Sequence, residues 1–141
     1  MKEFIADIFK FHKMYWLPTP EYPRTDHLPV VERMRDFKRI MLEEVSEVDA
    51  IVATAGDNHM DDLTNLADWL GDMIVYAASE MMRYGIPIDK TLEIIMDSNF
   101  SKLDENGEPI YVGGKVEKGP GYWKPEPKLK EMLMMEVLRS L

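Results

Sequence analysis

Apolar side chains recur along most of this chain at steps of three and four residues, the spacing of one face of an α-helix. The pattern predicts five helices, over residues 3–16, 30–55, 62–83, 87–98 and 128–140. The helix over 62–83 is apolar on nearly all of its faces, which predicts that it is buried. Almost no strand is expected.

Residues that commonly begin or end helices give the expected helix boundaries. Gly56 has a helix-ending role, and either Asp61 or Asp62 would cap the next helix. Gly85 is expected to stop that helix, and Pro87 suits the first turn of the one that follows. The two long helices are therefore predicted to be joined by a tight turn and to run antiparallel.

Two segments lack a helical pattern. Residues 17–29 contain four prolines and predict an extended connection, while residues 99–127 are rich in Gly, Pro and Lys and predict an ordered loop or short hairpin. We predict a single all-α domain over 1–141, a helical bundle built on two long antiparallel helices. It has an N-terminal helix with its connection (1–29), a helical core (30–98), the Gly/Pro/Lys-rich loop (99–127) and a final short helix (128–141).

Composition narrows the class of protein. The 141 residues carry 17 basic and 26 acidic side chains, a formal charge of −9, and contain no cysteine. So acidic a surface argues against binding DNA or RNA, and no apolar run is long enough to span a membrane. The N-terminus lacks the pattern of a secretory signal, and the absence of cysteine suits a reducing cytosol, so a cytoplasmic location is expected.

The acidic residues are concentrated in the predicted core. No Lys or Arg lies between Ile40 and Met82, where ten Asp and Glu residues stand. Glu44 and Glu47 follow the apolar line of their helix, about 60° apart around its axis. Asp72 lies in the middle of the apolar helix, with Asp68 one turn earlier. In an antiparallel pair, residues whose numbers add up to about 116 face each other, so these four carboxylates are expected to converge.

Four converging carboxylates need a cation, because their mutual repulsion and lost hydration would otherwise destabilise a small domain. Oxygen ligands alone favour Mg²⁺, with Mn²⁺ as an alternative. The histidines do not form the Glu-x-x-His pairs of a di-iron bundle, and zinc is disfavoured without Cys or clustered His. Other acidic residues of this stretch are expected on the solvated face, namely Asp49, Asp57 and Glu80.

Four motifs in this order resemble those of the MazG-like, all-α nucleoside triphosphate pyrophosphohydrolases, in the branch of dUTPase-like MazG proteins. They are LEEVSEV (42–48), NLADWLGDMIVY (65–76), DSNFSKL (97–103) and GKVEKGPGYWKP (114–125). The resemblance implies hydrolysis of an NTP to NMP and pyrophosphate with Mg²⁺. By analogy with that branch the substrate would be a pyrimidine deoxynucleotide such as dUTP, although the residues themselves determine neither the base nor the sugar.

The resemblance implies roles for individual residues of this sequence, at the positions that match the motifs of the family. Glu44, Glu47 and Asp72 match metal ligands. Glu43 matches the first Glu of the motif, which would either orient the attacking water or help to hold a further metal ion, and it is the candidate acceptor of that water's proton. Many members have Glu three residues before the final Asp, where this chain has Trp69. Asp68 is therefore the expected fourth metal ligand.

The Gly/Pro/Lys-rich loop (99–127) is expected to bind the triphosphate. Lys102, Lys115 and Lys118 supply positive charge, Asn99 could read a sugar or base edge, and Tyr122 or Trp123 could stack on a base. Glycines that would let backbone N–H groups approach phosphate are Gly113, Gly114, Gly119 and Gly121.

A nearly all-apolar helix and twelve methionines predict a homodimer or a dimer of dimers. Two other functions remain open. One is a pyrophosphatase for a phosphoribosyl-ATP-like nucleotide, and the other is a non-catalytic, cation-binding oligomerisation module.

Overall fold

The computed structural model describes residues 1–24, 26 and 29–141. These residues form six α-helices and one two-stranded hairpin. In chain order they are α1 (Lys2–Met14), α2 (Val30–Ser46), α3 (Val48–Thr54), α4 (His59–Arg83), α5 (Ile88–Phe100), β1 (Tyr111–Val112), β2 (Lys115–Val116) and α6 (Glu126–Arg139). The prediction of an all-α fold is confirmed. In the described part of the chain, no helix combines the length and the apolar character needed to cross a bilayer.

The chain divides into two compact units, residues 2–85 and 86–141. In the first unit, α1, α2 and α3 each pack against α4, so α4 is the central helix. In the second unit, α5 packs against α6, and the β1–β2 hairpin lies between them in the sequence. The expectation of a single domain over 1–141 stays a prediction.

The predicted helix over 30–55 is interrupted at Glu47, so one long helix is the wrong prediction for this segment. The Glu47 N–H donates to the Glu44 carbonyl at 3.2 Å, three residues back instead of the four of an α-helix. The Ser46 hydroxyl donates to the Leu42 carbonyl at 2.8 Å, a bond that bends helices. Together these bonds end α2 and begin α3 within the acidic motif.

Helix α4 begins earlier than predicted, and Asn58 caps it in place of Asp61 or Asp62. Asn58 has an extended backbone, and its side-chain oxygen accepts from the N–H groups of Met60 and Asp61 at 3.0 and 3.2 Å. Asp62 instead accepts from the Gly56 N–H at 3.0 Å and so closes the turn. Gly56 follows α3 with φ +109°, consistent with its predicted role at the helix end.

The end of α4 is fixed by Gly85, as predicted. Its φ is +68°, and a Cβ atom there would lie 2.2 Å from the Tyr22 carbonyl oxygen. The Arg24 N–H donates to the Tyr84 carbonyl at 2.9 Å, so residues 17–24, which form neither helix nor strand, run along this end of α4. The rest of the predicted connection includes Thr25, His27 and Leu28, which lie outside the described residues.

In the second unit, Pro87 precedes α5 as its N-cap instead of standing in its first turn. The hairpin expected as one alternative for residues 99–127 is present, with Tyr111 paired to Val116. Gly113 and Gly114 connect its strands with φ of +58° and +79°, as a tight hairpin turn requires.

Helix α4 is not buried within a single chain, contrary to the prediction. Ala78 is its only buried residue, whereas Ile74 is 61% exposed. The exposed apolar side chains recur at helical spacing along one stripe of α4, at Leu63, Leu66, Leu70 and Ile74. The helices that pack on α4 leave this stripe uncovered.

Candidate functional site

Helices α2 and α4 lie side by side and run antiparallel. The Trp69 indole N–H donates to the Glu44 carbonyl at 2.8 Å, and Arg33 pairs with Glu80 at 2.6 Å. The residue numbers of each pair add up to 113, whereas facing residues were predicted to add up to about 116. The observed pairing therefore differs from the predicted register by three residues. The antiparallel arrangement itself is as predicted from the tight turn that joins the two helices.

Four carboxylates lie near one another on these helices, and we call Glu44, Glu47, Asp68 and Asp72 the acidic cluster. The pKa of Glu47 is raised, mainly by the negative charge of Glu44, then by partial desolvation and by the charges of Asp72 and Asp68. Glu44 is half-buried, whereas the other three are exposed in the single chain. In the single chain the acidic cluster is therefore an open surface, whereas the carboxylates were expected to lose hydration where they converge.

The chemistry of the acidic cluster fits a hard divalent cation, since all its ligands are carboxylate oxygens. Among the described residues, however, no three His, Asp or Glu side chains are already arranged to hold a metal ion. Side-chain rotation would have to bring the oxygens of the acidic cluster into one coordination sphere. The raised pKa of Glu47 indicates that these carboxylates are close enough to repel.

Glu43 lies apart from this group. It is exposed and pairs with Arg39 at 3.3 Å, one turn earlier on α2. It also lines a surface depression with Arg35 and Lys38, on a different face of the helix from the acidic cluster. Its predicted role as proton acceptor stays a prediction.

A cavity of about 390 Å³ lies next to the acidic cluster within the first unit. Asp72 and Tyr76 form part of its lining, and Phe11 and Phe37 supply aromatic walls. The remaining lining residues are Leu17, Arg33, Ile40, Val75, Ser79, Glu80 and Arg83. The sequence analysis did not identify this cavity, because its walls come from α1, the 17–24 connection, α2 and α4.

Tyr76 is a site residue that the sequence analysis missed. A hydrogen bond to Glu44, partial burial and the charges of Glu44, Asp72 and Glu47 raise the pKa of its hydroxyl. Its spacing could have identified it, since Tyr76 stands four residues after Asp72 and hence on the same face of α4.

Glu80 does not lie on a solvated face, contrary to the prediction. Both of its oxygens accept from Arg33, at 2.6 to 3.2 Å, and Arg83 approaches at 3.5 Å. All three side chains are mostly buried, and the hydrogen bond to Glu80 raises the pKa of Arg33. Both arginines line the cavity, so one end of it carries a net positive charge.

His12 is fully buried and ties α1 to α4. Its Nδ1 lies 2.8 Å from the Pro18 carbonyl, which can only accept, so Nδ1 carries the proton of a neutral ring. Burial lowers the His12 pKa, which keeps the ring neutral. Its Nε2 therefore accepts from the Ser79 hydroxyl at 2.7 Å. Ser79 thus presents only oxygen lone pairs to the cavity.

The predicted substrate-binding residues lie in the second unit. The Lys118 ammonium stands 5.1 Å from the ring centre of Tyr122, a cation–π contact. Asn99 and Lys115 are exposed, and Lys102 is half-buried. Their role in binding a triphosphate stays a prediction.

Gly119 has a packing role in the structure, which differs from the predicted contact with phosphate. Its N–H donates to the Lys102 carbonyl at 2.8 Å, and a Cβ atom there would lie 1.9 Å from the Leu103 carbonyl oxygen. This glycine therefore permits the loop to pack closely on the backbone that follows α5. Trp123 is held there as well, since its carbonyl accepts from the Ser98 hydroxyl at 2.9 Å.

Comparison with known proteins bears on the fold. No protein-family model matches the sequence, and no curated protein matches it. Among solved structures, a crystal structure of a "putative NTP pyrophosphohydrolase" from Exiguobacterium sp. 255-15 matches with a TM-score of 0.57 and 18% sequence identity. The match covers 98% of this chain and 98% of that chain. Over almost its whole length, the chain therefore shares the all-α fold of that protein.

Proposed function

We propose that this protein is a nucleoside triphosphate pyrophosphohydrolase, which cleaves an NTP or dNTP between its α and β phosphates to a monophosphate and pyrophosphate. The observation that carries the proposal is the acidic cluster, in which the charges of three carboxylates act on Glu47, beside a cavity with aromatic walls. The fold shared with a protein named as an NTP pyrophosphohydrolase supports the same reaction.

Glu44, Glu47, Asp68 and Asp72 would hold Mg²⁺ or Mn²⁺ through their carboxylate oxygens. When bound, the cation supplies charge neutralisation to the phosphates and makes water a better nucleophile. The repulsion that raises the Glu47 pKa favours cation binding, because a divalent ion coordinated by the four carboxylates would offset the repulsion between their charges. Glu43 would accept the proton that the attacking water loses only after its side chain leaves Arg39 and turns toward the acidic cluster.

The cavity would hold the nucleoside. Its 390 Å³ is lined on both sides by apolar and aromatic groups, while Ser79 and the two arginines offer hydrogen bonds at its polar end. The proposed substrate-binding residues of the second unit are Lys102, Lys115 and Lys118, together with Asn99 and Tyr122. The proposed substrate is a pyrimidine deoxynucleotide such as dUTP.

A panel of NTPs and dNTPs incubated with Mg²⁺, and scored separately for pyrophosphate and phosphate, tests this function. We expect pyrophosphate with dUTP or another pyrimidine deoxynucleotide and none after EDTA is added. Release with a phosphoribosyl-ATP-like nucleotide alone would favour the alternative enzyme, and no release with any nucleotide would favour a cation-binding module.

Asp72→Asn should lower pyrophosphate release by at least about 100-fold, because it removes a charged ligand from the acidic cluster. Asp49→Asn is the matched control, since Asp49 is exposed on α3 and lies outside the acidic cluster. Circular dichroism should show equal helix content in both variants. An active Asp72→Asn enzyme would contradict the ligand assignment.

A further inference from the structure

The carbonyl oxygen of Glu44 accepts two hydrogen bonds at the point where α2 ends. One donor is the backbone N–H of Glu47 at 3.2 Å, and the other is the indole N–H of Trp69 at 2.8 Å. In an uninterrupted α-helix this carbonyl would bond to the N–H four residues ahead. A side-chain donor that draws a carbonyl away from the helix axis is a recognised cause of a helix break.

The break changes the direction of a carboxylate in the acidic cluster. In an α-helix, residues three apart are separated by about 60° around the axis, whereas in a three-residue turn they eclipse. The turn from Glu44 to Glu47 has the three-residue hydrogen bond. It therefore moves Glu47 toward the line of Glu44, on the side of the helix where α4 lies.

The side-chain donor of the hydrogen bond to the Glu44 carbonyl belongs to α4, the helix that carries the other two members of the acidic cluster. Trp69 is half-buried and stands between Asp68 and Asp72 in sequence, although it provides no carboxylate itself.

We propose that Trp69 is a positioning residue for cation binding: its indole N–H holds the Glu44 carbonyl out of the helix and so brings Glu44 and Glu47 into one line. The inference deepens the proposed function, since it rests on the acidic cluster as the cation site. Trp69 acts through the backbone of Glu44 and does not touch the cation or the substrate.

Trp69→Phe tests this role, because it keeps an aromatic ring and removes the N–H donor. Mn²⁺ binding to the full chain, followed by the electron paramagnetic resonance of free Mn²⁺, should show a dissociation constant about fivefold higher. Trp16→Phe is the matched control, since Trp16 is 92% exposed, and it should bind Mn²⁺ as the unaltered protein does.

A merely structural role for Trp69 would lower Tm and leave the Mn²⁺ dissociation constant of the folded protein unchanged, and that result would overturn the inference. Equal weakening in Trp16→Phe, or no Mn²⁺ binding by the unaltered protein, would overturn it too. If Trp69→Phe does not fold, benzothienylalanine at this position, which keeps the two-ring shape without the N–H, gives the same measurement.

The inference and the proposed function can fail separately. Weaker Mn²⁺ binding in Trp69→Phe together with no pyrophosphate release by the unaltered protein would support the inference and reject the proposed function. Normal pyrophosphate release with an unchanged dissociation constant in Trp69→Phe would do the reverse.

Discussion

At the scale of single residues, the position of an acidic residue along its helix predicted its location better than its chemical type did. Glu44, Glu47, Asp68 and Asp72 were predicted to converge from helical spacing and an antiparallel register, and the charges of the other three do act on Glu47. The mistaken residue was Glu80, which was assigned to the solvated face with other acids. Its ion pair with Arg33 depends on how α2 and α4 pack, which the sequence of one helix does not contain, whereas Arg83 stands three residues later on α4 itself.

Repulsion within the acidic cluster gives a prediction for Glu47→Gln. Because the folded state raises the Glu47 pKa, ionisation of this group lowers stability as pH rises through that pKa. In EDTA, the variant should therefore have a higher Tm than the unaltered protein at neutral pH, and the difference should disappear well below the ordinary pKa of 4.5. Differential scanning calorimetry at several pH values measures it.

With Mg²⁺ and nucleotide present, the same variant should lose pyrophosphate release by at least about 100-fold, because a ligand is missing. Asp49→Asn serves again as the control and should change neither quantity. A Glu47→Gln protein with an unchanged Tm in EDTA at neutral pH would contradict the repulsion.

At the scale of elements, the periodic pattern predicted the helical segments, but it predicted one helix over 30–55 where the structure has α2 and α3, and it misplaced several boundaries. The pattern treats residues 30–55 as one helix because apolar spacing continues through Glu47, whereas the break lies where the Glu44 carbonyl accepts a hydrogen bond from Trp69 on another helix. The cap of α4 was assigned to an aspartate because Asp is a good N-cap, yet Asn58 stands earlier in the extended conformation that a cap needs.

The turn after α4 provides a prediction at this scale. Gly85→Ala should lower the free energy of unfolding by about 2–4 kcal/mol, since the methyl group would strain a positive φ and collide with the Tyr22 carbonyl. Urea unfolding followed by circular dichroism measures the change. Gly121→Ala is the control, because a Cβ atom there meets nothing within 4 Å, and it should cost less than about 1 kcal/mol. Equal losses in the two variants would contradict this account.

At the scale of the whole molecule, the sequence predicted the all-α class but not which surfaces a single chain covers. The apolar character of α4 was interpreted as burial, whereas its stripe from Leu63 to Ile74 is exposed. Hydrophobicity indicates that a surface avoids water, and it does not say whether the covering surface belongs to the same chain or to a second copy. The proposed homodimer or dimer of dimers would resolve this difference.

Ile74→Glu tests the assembly. A charge in the centre of the α4 stripe should shift the protein from dimer to monomer at micromolar concentration, because burying an unpaired carboxylate in an apolar interface is costly. Sedimentation equilibrium gives the mass directly. Met14→Glu is the matched control, since Met14 and Ile74 are both 61% exposed and Met14 lies on α1. An unaltered protein that sediments as a monomer would reject the assembly.

The buried imidazole of His12 has one more consequence, for chemical labelling. Diethylpyrocarbonate attacks an unprotonated ring nitrogen that solvent can reach, and His12 offers none, because both nitrogens are hydrogen-bonded and the side chain is fully buried. Carbethoxylation of His59, which is exposed, should therefore be fast. The slow carbethoxylation of His12 should occur only when α1 detaches from α4, so this histidine serves as an internal reporter of that opening.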